Sequence, residues 1–110
     1  MLAVLGTSQS ATAATNIVNA NICEAKWTQV EALPHFADRL SRWQALAPKC
    51  AKSGLYEARL ATLQTLLGRY DEARETVRVG VALDTPYKKT LLSTMAAVAL
   101  SQGQLADAQK

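Results

Sequence analysis

Residues 68 to 75 read GRYDEARE, and residues 103 to 109 read GQLADAQ. Gly68 pairs with Gly103, Tyr70 with Leu105, Asp71 with Ala106 and Ala73 with Ala108, each pair 35 residues apart. A fixed period of roughly 20–50 residues is the mark of a repeat architecture, in which one supersecondary unit is copied along the chain. The helical patterns on either side of the two glycines bear on that reading.

Before Gly68, the stretch Leu55 to Leu67 brings Tyr56, Leu60, Leu63 and Leu67 round at helical spacing, with Leu66 beside them. Gly68 closes that helix, because glycine enters the left-handed conformation without steric cost. A second helix starts near Tyr70, with Asp71 and Glu72 in the first turn, where acids complement the positive end of the helix dipole. Its inner stripe is Ala73, Val77, Gly80, Val81 and Leu83. Asp71 with Arg74, and Glu75 with Arg78, are i,i+3 partners on the outer face. Thr85 and Pro86 suit an N-cap and first helical position. They open a third helix expected to run to Gln102 and to end at Gly103, with another helix beginning at Leu105.

Upstream, Asn16 to Leu33 forms a looser helix carrying Val18, Ile22, Ala25, Val30 and Leu33. Pro34 breaks it, Phe36, Leu40, Trp43 and Ala47 define the next helix, and Pro48 is expected to end that one.

These residues resemble the tetratricopeptide repeat (TPR) family, which stacks helix-turn-helix units of about 34 residues. Gly68 and Gly103 align with the turn between the two helices of a unit, Leu60-Ala61 and Met95-Ala96 with the family's Leu-Gly, and Ala73 and Ala108 with its small residue in the second helix. Val77 and Gly80 take the following large and small positions. Glu57 and Gln64 stand where the family has Trp and Tyr. The match spans residues 55–110 and is only architectural before that. The resemblance implies an all-α fold, antiparallel helical hairpins stacked as a short right-handed solenoid. Residues 1–15 would be a flexible lead-in or signal-peptide remnant. Residues 16–110 would be the repeat domain, in units of about 16–50, 55–85 and 86–110, the last incomplete. The plain alternative is a small closed bundle of amphipathic helices.

Composition agrees with helices. Alanine and leucine dominate, and only six residues are aromatic. The net charge of +3 is scattered among acids rather than gathered into a basic stripe, which speaks against nucleic-acid binding. The first 22 residues carry no charge, yet they lack the basic start and long apolar stretch of a secretory signal and are too polar to span a membrane.

No catalytic grouping emerges. His35 is the single histidine, set directly after Pro34, and it reads as a surface or capping residue. Glycine-rich phosphate loops and paired carboxylates on an apolar background are missing. Cys23, Cys50 and His35 fall short of four zinc ligands. The expectation is therefore no enzyme, no cofactor and no metal. Cys23 and Cys50 lie 27 residues apart. In an oxidising compartment a bond between them would staple the first hairpin, and in a reducing one they would be two buried thiols. The periplasm or the secreted space is favoured over the cytoplasm.

The resemblance places ligands in a concave groove lined by the first helix of each unit. Carried onto this chain, the groove is Leu55, Ala58, Arg59, Thr62, Thr65 and Leu66, followed by Thr90, Ser93, Thr94, Ala97 and Ser101. The Lys and Asn of carboxylate-clamping relatives are lacking, so shallow contact with an extended segment or a helix is what remains. The expected function is a protein–protein interaction or scaffold module, in a bacterial envelope assembly or export system. The alternative is a regulatory repeat segment of a larger enzyme or transcription regulator. With the last unit cut short, Leu91, Leu92, Met95, Val98 and Leu105 are expected to form an uncovered patch, met by a second copy through the C-terminal helices or by further repeats.

Overall fold

The computed structural model describes residues 22–51 and 53–108, with side chains through Gly103. The expected lead-in at 1–15 and the start of the first helix from residue 16 lie outside the described residues. Every regular element described is a helix: α1 (residues 22–31), α2 (Phe36–Gln44), α3 (Ala47–Cys50), α4 (Gly54–Leu66), α5 (Tyr70–Ala82) and α6 (Lys88–Ala108). The chain is all-α over these residues.

The centre of the molecule is α4. It lies between its neighbours and buries residues on most of its circumference. Leu55, Tyr56, Ala58, Leu60, Ala61 and Leu63 are all sealed from solvent, and so are Glu57 and Gln64. Ser53 caps its start, its hydroxyl accepting from the Tyr56 N–H at 3.1 Å and donating to the Cys50 carbonyl at 2.7 Å. Gly68 ends it with φ of 75°, the left-handed turn that its sequence context required.

That turn sends α5 back antiparallel along α4. Gln64 meets Thr76, whose hydroxyl donates to the Gln64 Oε1 at 2.7 Å, and further along Glu57 comes opposite Gly80. Two polar residues thus fill the positions where the tetratricopeptide pattern would put aromatics, and the hydrogen bond between Thr76 and Gln64 offsets the desolvation of both groups. Gly80 is there for space. A Cβ at that position would lie 2.7 Å from a Leu91 methyl and 3.0 Å from the Glu57 Cβ.

Asp84 takes φ of 51°, a conformation aspartate tolerates better than most residues. Thr85 follows and accepts from the Tyr87 N–H at 3.2 Å. The chain then enters α6, which packs on α4 and α5 through Leu91 and Val98, both fully buried. A fully buried leucine contributes about 1.5–3 kcal/mol.

Two expectations about helix ends need correcting. Pro48 does not end α2, which stops at Gln44. It sits in the first turn of the short α3, where its missing N–H costs nothing. The helix expected to end at Gly103 continues through it to Ala108. Residues after Gly103 extend an existing helix at one hydrogen bond each, whereas a reversed helix would need a new nucleus, which is costly. The 35-residue sequence match therefore does not become two equivalent turns.

At the other end, α1 and α2 run antiparallel around Pro34. Trp27 meets Trp43 edge-on at 5.0 Å between centroids, and Trp43 stacks on Tyr56 at 5.4 Å, carrying the contact into α4. Trp43 Nε1 donates to the Tyr56 carbonyl at 3.0 Å. Burial, and behind it the Glu57 charge, pushes the Tyr56 phenol above its ordinary value. Cys23 and Cys50 are buried with Sγ atoms 2.01 Å apart and Cα atoms 5.9 Å apart, a disulfide tying the start of α1 to the end of α3.

Candidate interaction surface

The first helix of each expected unit corresponds to α1, α4 and α6, and the starts of these three lie close together. Cys23 of α1 lies beside Ser53 and Gly54, and the start of α4 lies beside Thr85 and Tyr87. The candidate groove residues divide sharply along α4. Leu55 and Ala58 are buried in the core and cannot meet a partner. Ala58 is covered because it packs in one cluster with Ala61, Val77 and Leu91. Small side chains draw the helices together and seal the place where a groove floor was expected.

Arg59, Thr62 and Thr65 are half-buried. The Thr62 and Thr65 hydroxyls donate to the carbonyls of Ala58 and Ala61, at 2.9 and 2.8 Å. Thr94 does the same toward Thr90 at 3.0 Å. Each oxygen keeps its acceptor capacity, while its proton is spent on its own helix. Arg59 carries its guanidinium over the Trp27 ring, 5.3 Å from the centroid, and its buried Nε has no hydrogen-bond partner among the described residues. On α6, Ser93 and Ala97 are exposed and Ser101 is half-buried. His35 is exposed at the N-cap of α2 and makes no side-chain cap.

The more pronounced surface feature lies on the outer side of α6. The patch expected around Leu91, Leu92, Met95, Val98 and Leu105 is partly corrected: Leu91 and Val98 are covered by the chain itself and Met95 is half-buried, while Leu105 lies outside the residues whose side chains are described. Leu92 and Leu100 are 51% and 66% exposed, and Ala96 and Ala99 are exposed between them. Spacing of three and four residues sets Leu92, Ala96, Ala99 and Gly103 on one stripe, with Leu100 at its edge. From Thr90 to Ala106 no side chain is ionisable, a length of about 25 Å at 1.5 Å per residue. The signal was legible as a gap in the charge pattern, but only the packing tells which apolar residues face outward.

By contrast α5 wears charge on its outer face. Arg74 pairs with Asp71 at 3.6 Å, Arg69 with Glu72 at 3.7 Å, and Arg78 with Glu75. The Arg78 hydrogen bond holds the Glu75 carboxyl below its ordinary value, and the same contact raises Arg78.

No group of three or more potential metal ligands occurs among the described residues, and no helix there is long and apolar enough to cross a membrane. No protein-family model matches the chain, and neither the curated proteins nor the solved structures contain a match.

Proposed function

We propose that this chain is a short helical-repeat module of the tetratricopeptide type, a non-catalytic scaffold that holds a protein partner against its first-position helices. The observation that carries this reading is the outer surface of α6. An exposed helical length free of charge, with Leu92 and Leu100 standing proud of it, is unlike the salt-bridged outer face of α5. Contiguous exposed apolar surface marks contact sites. A partner helix laid along α6 would bury Leu92, Ala96 and Leu100. The neighbouring Ser93 and Ser101, with Thr62 and Thr65 on α4, would offer it hydroxyl acceptors. The buried Cys23–Cys50 pair supports an oxidising compartment such as the bacterial periplasm, where an envelope assembly or export system would be the setting.

The test is a photo-crosslinking side chain placed at Leu92 or Leu100, compared with one at Asp71, in cells that express the protein. A discrete adduct formed from positions 92 and 100 and not from 71 supports the reading. An adduct of the chain with itself would name the partner as a second copy, the homodimer expected from the sequence. Equal or absent adducts at all three positions would remove the scaffold proposal.

A further inference from the structure

A second surface lies on the opposite end of the molecule, in the crevice between α1 and α2. Lys26, Gln29, Val30 and Leu33 come from α1 and the turn after it, and Arg42 and Leu46 from α2 and its end. Together they line a cavity of about 210 Å³. The floor is apolar, with Val30 buried and Leu33 and Leu46 half-buried, while Lys26 and Arg42 are exposed at the mouth.

Two cations line this one cavity. Arg69, Arg74, Arg78 and Lys88 each have an acidic partner, whereas Arg39, Lys49, Arg59 and Lys89 form no ion pair among the described residues. Lys26 and Arg42 have no ion pair among the described residues, although they share one small cavity. Asp38 lines the adjoining cavity with Arg42, one helical turn away, and forms no ion pair with it. Arg42 in the last turn of α2 complements the helix dipole. That accounts for Arg42 but not for Lys26, which lines the same cavity from the middle of α1. Two like charges facing one cavity repel, and an anion between them relieves the repulsion.

The walls are held in place without a ligand. The disulfide ties α1 at its start, and the Trp27–Trp43 contact ties it in the middle. At the far end Arg39 donates from Nε to the Leu33 carbonyl at 2.6 Å, its guanidinium lying over the Phe36 ring at 5.0 Å. A cavity that does not have to be assembled loses less affinity to ordering.

We propose that this crevice binds a carboxylate bearing a small branched apolar group. Lys26 and Arg42 meet the carboxylate, with Arg42 offering a bidentate fork. Val30, Leu33 and Leu46 enclose the hydrocarbon. The size agrees, since a buried cavity of about 150 Å³ accommodates benzene. Such a group occurs both in free short-chain acids and at the C-terminus of a chain ending in leucine, and the experiment separates the two.

The test is a methyl NMR titration of the full chain with 4-methylpentanoate and with N-acetylglycyl-leucine, beside the neutral amide of each. Saturable shifts at the Val30, Leu33 and Leu46 methyls are expected with an acid at millimolar concentration and not with its amide. Binding of the free acid alone would name a small metabolite as the source, and binding of the peptide alone a chain terminus. Lys26→Gln and Arg42→Gln, both on exposed side chains that leave the core untouched, should each weaken binding at least five-fold. Amides binding as well as acids, shifts centred elsewhere, no saturable shift, or full affinity in Arg42→Gln would each overturn the proposal.

Discussion

Residues 22–51 and residues 53–108 hold their helices together by different means. In the first region α2 and α3 are only 9 and 4 residues long, too short to present a long apolar face. Large groups and a covalent bond do the holding: Trp27, Trp43 and the Cys23–Cys50 bridge, with Tyr56 of α4 stacked on Trp43. In the second, α4 and α5 have 13 residues each and α6 has 21. There Ala58, Ala61, Ala73 and Gly80 are buried and let the backbones approach. Long helices gain stability from many small contacts, whereas short ones depend on a few irreplaceable ones.

The strongest way to break this contrast is at Trp43. Trp43→Ala removes a fully buried ring and the donor to the Tyr56 carbonyl, and should cost about 3–5 kcal/mol. Urea denaturation would read the loss, and a cost under about 1 kcal/mol would mean that the aromatic contacts are not what holds the first region.

Removing the bridge comes next. Cys23→Ala with Cys50→Ala should cost about 3 kcal/mol through the loop that the bond closes. Hydrogen exchange should show the loss concentrated in residues 22–51, with α5 and α6 still protected. A uniform loss across both regions would show that they are one cooperative unit and not two differently built parts.

The glycines sharpen the comparison within α5 and α6. Gly80→Ala should destabilise by about 1–3 kcal/mol, because its Cβ meets Leu91 and Glu57. Gly103→Ala should instead stabilise by up to about 1 kcal/mol, since nothing lies within 4 Å and alanine is the better helix former. Thermal melts of the two variants give the signs. Destabilisation by Gly103→Ala would restore a left-handed turn at that position.

The smallest effect belongs to Glu75. Its folded carboxyl titrates below its ordinary value of 4.5, so the stability it brings is complete above the unfolded value and disappears as pH falls through the folded one. Glu75→Gln should therefore melt slightly below the parent at pH 7 and together with it in acid. A gap that widens on acidification would contradict the pairing with Arg78.

Much of this was legible in the residues. Helix positions over 55–83 followed from apolar spacing, the Gly68 turn from its place after Leu67, and the Arg74 and Arg78 pairs from i,i+3 geometry. The Thr85–Pro86 turn was legible too, although the helix it leads into begins only at Lys88 and not at Pro86. All of these depend on a few neighbouring residues, and local sterics and hydrogen bonding decide them. The groove was harder: Leu55 and Ala58 have the right register for it, yet they are covered by helices that return from further along the chain.

What the sequence determined by itself is therefore an all-helical chain and its breaks at Pro34 and Gly68. Tertiary structure decided the rest. It brought Cys23 to Cys50, put Lys26 and Arg42 on one cavity, buried Gln64 against Thr76, and left Leu92 and Leu100 facing out while Leu91 and Val98 turned in. Gly103 marks the boundary between the two kinds of information. Its local sequence matches that of Gly68, but a glycine only permits a turn. Whether the chain reverses depends on whether the following residues gain more by packing back than by adding hydrogen bonds to a helix already formed.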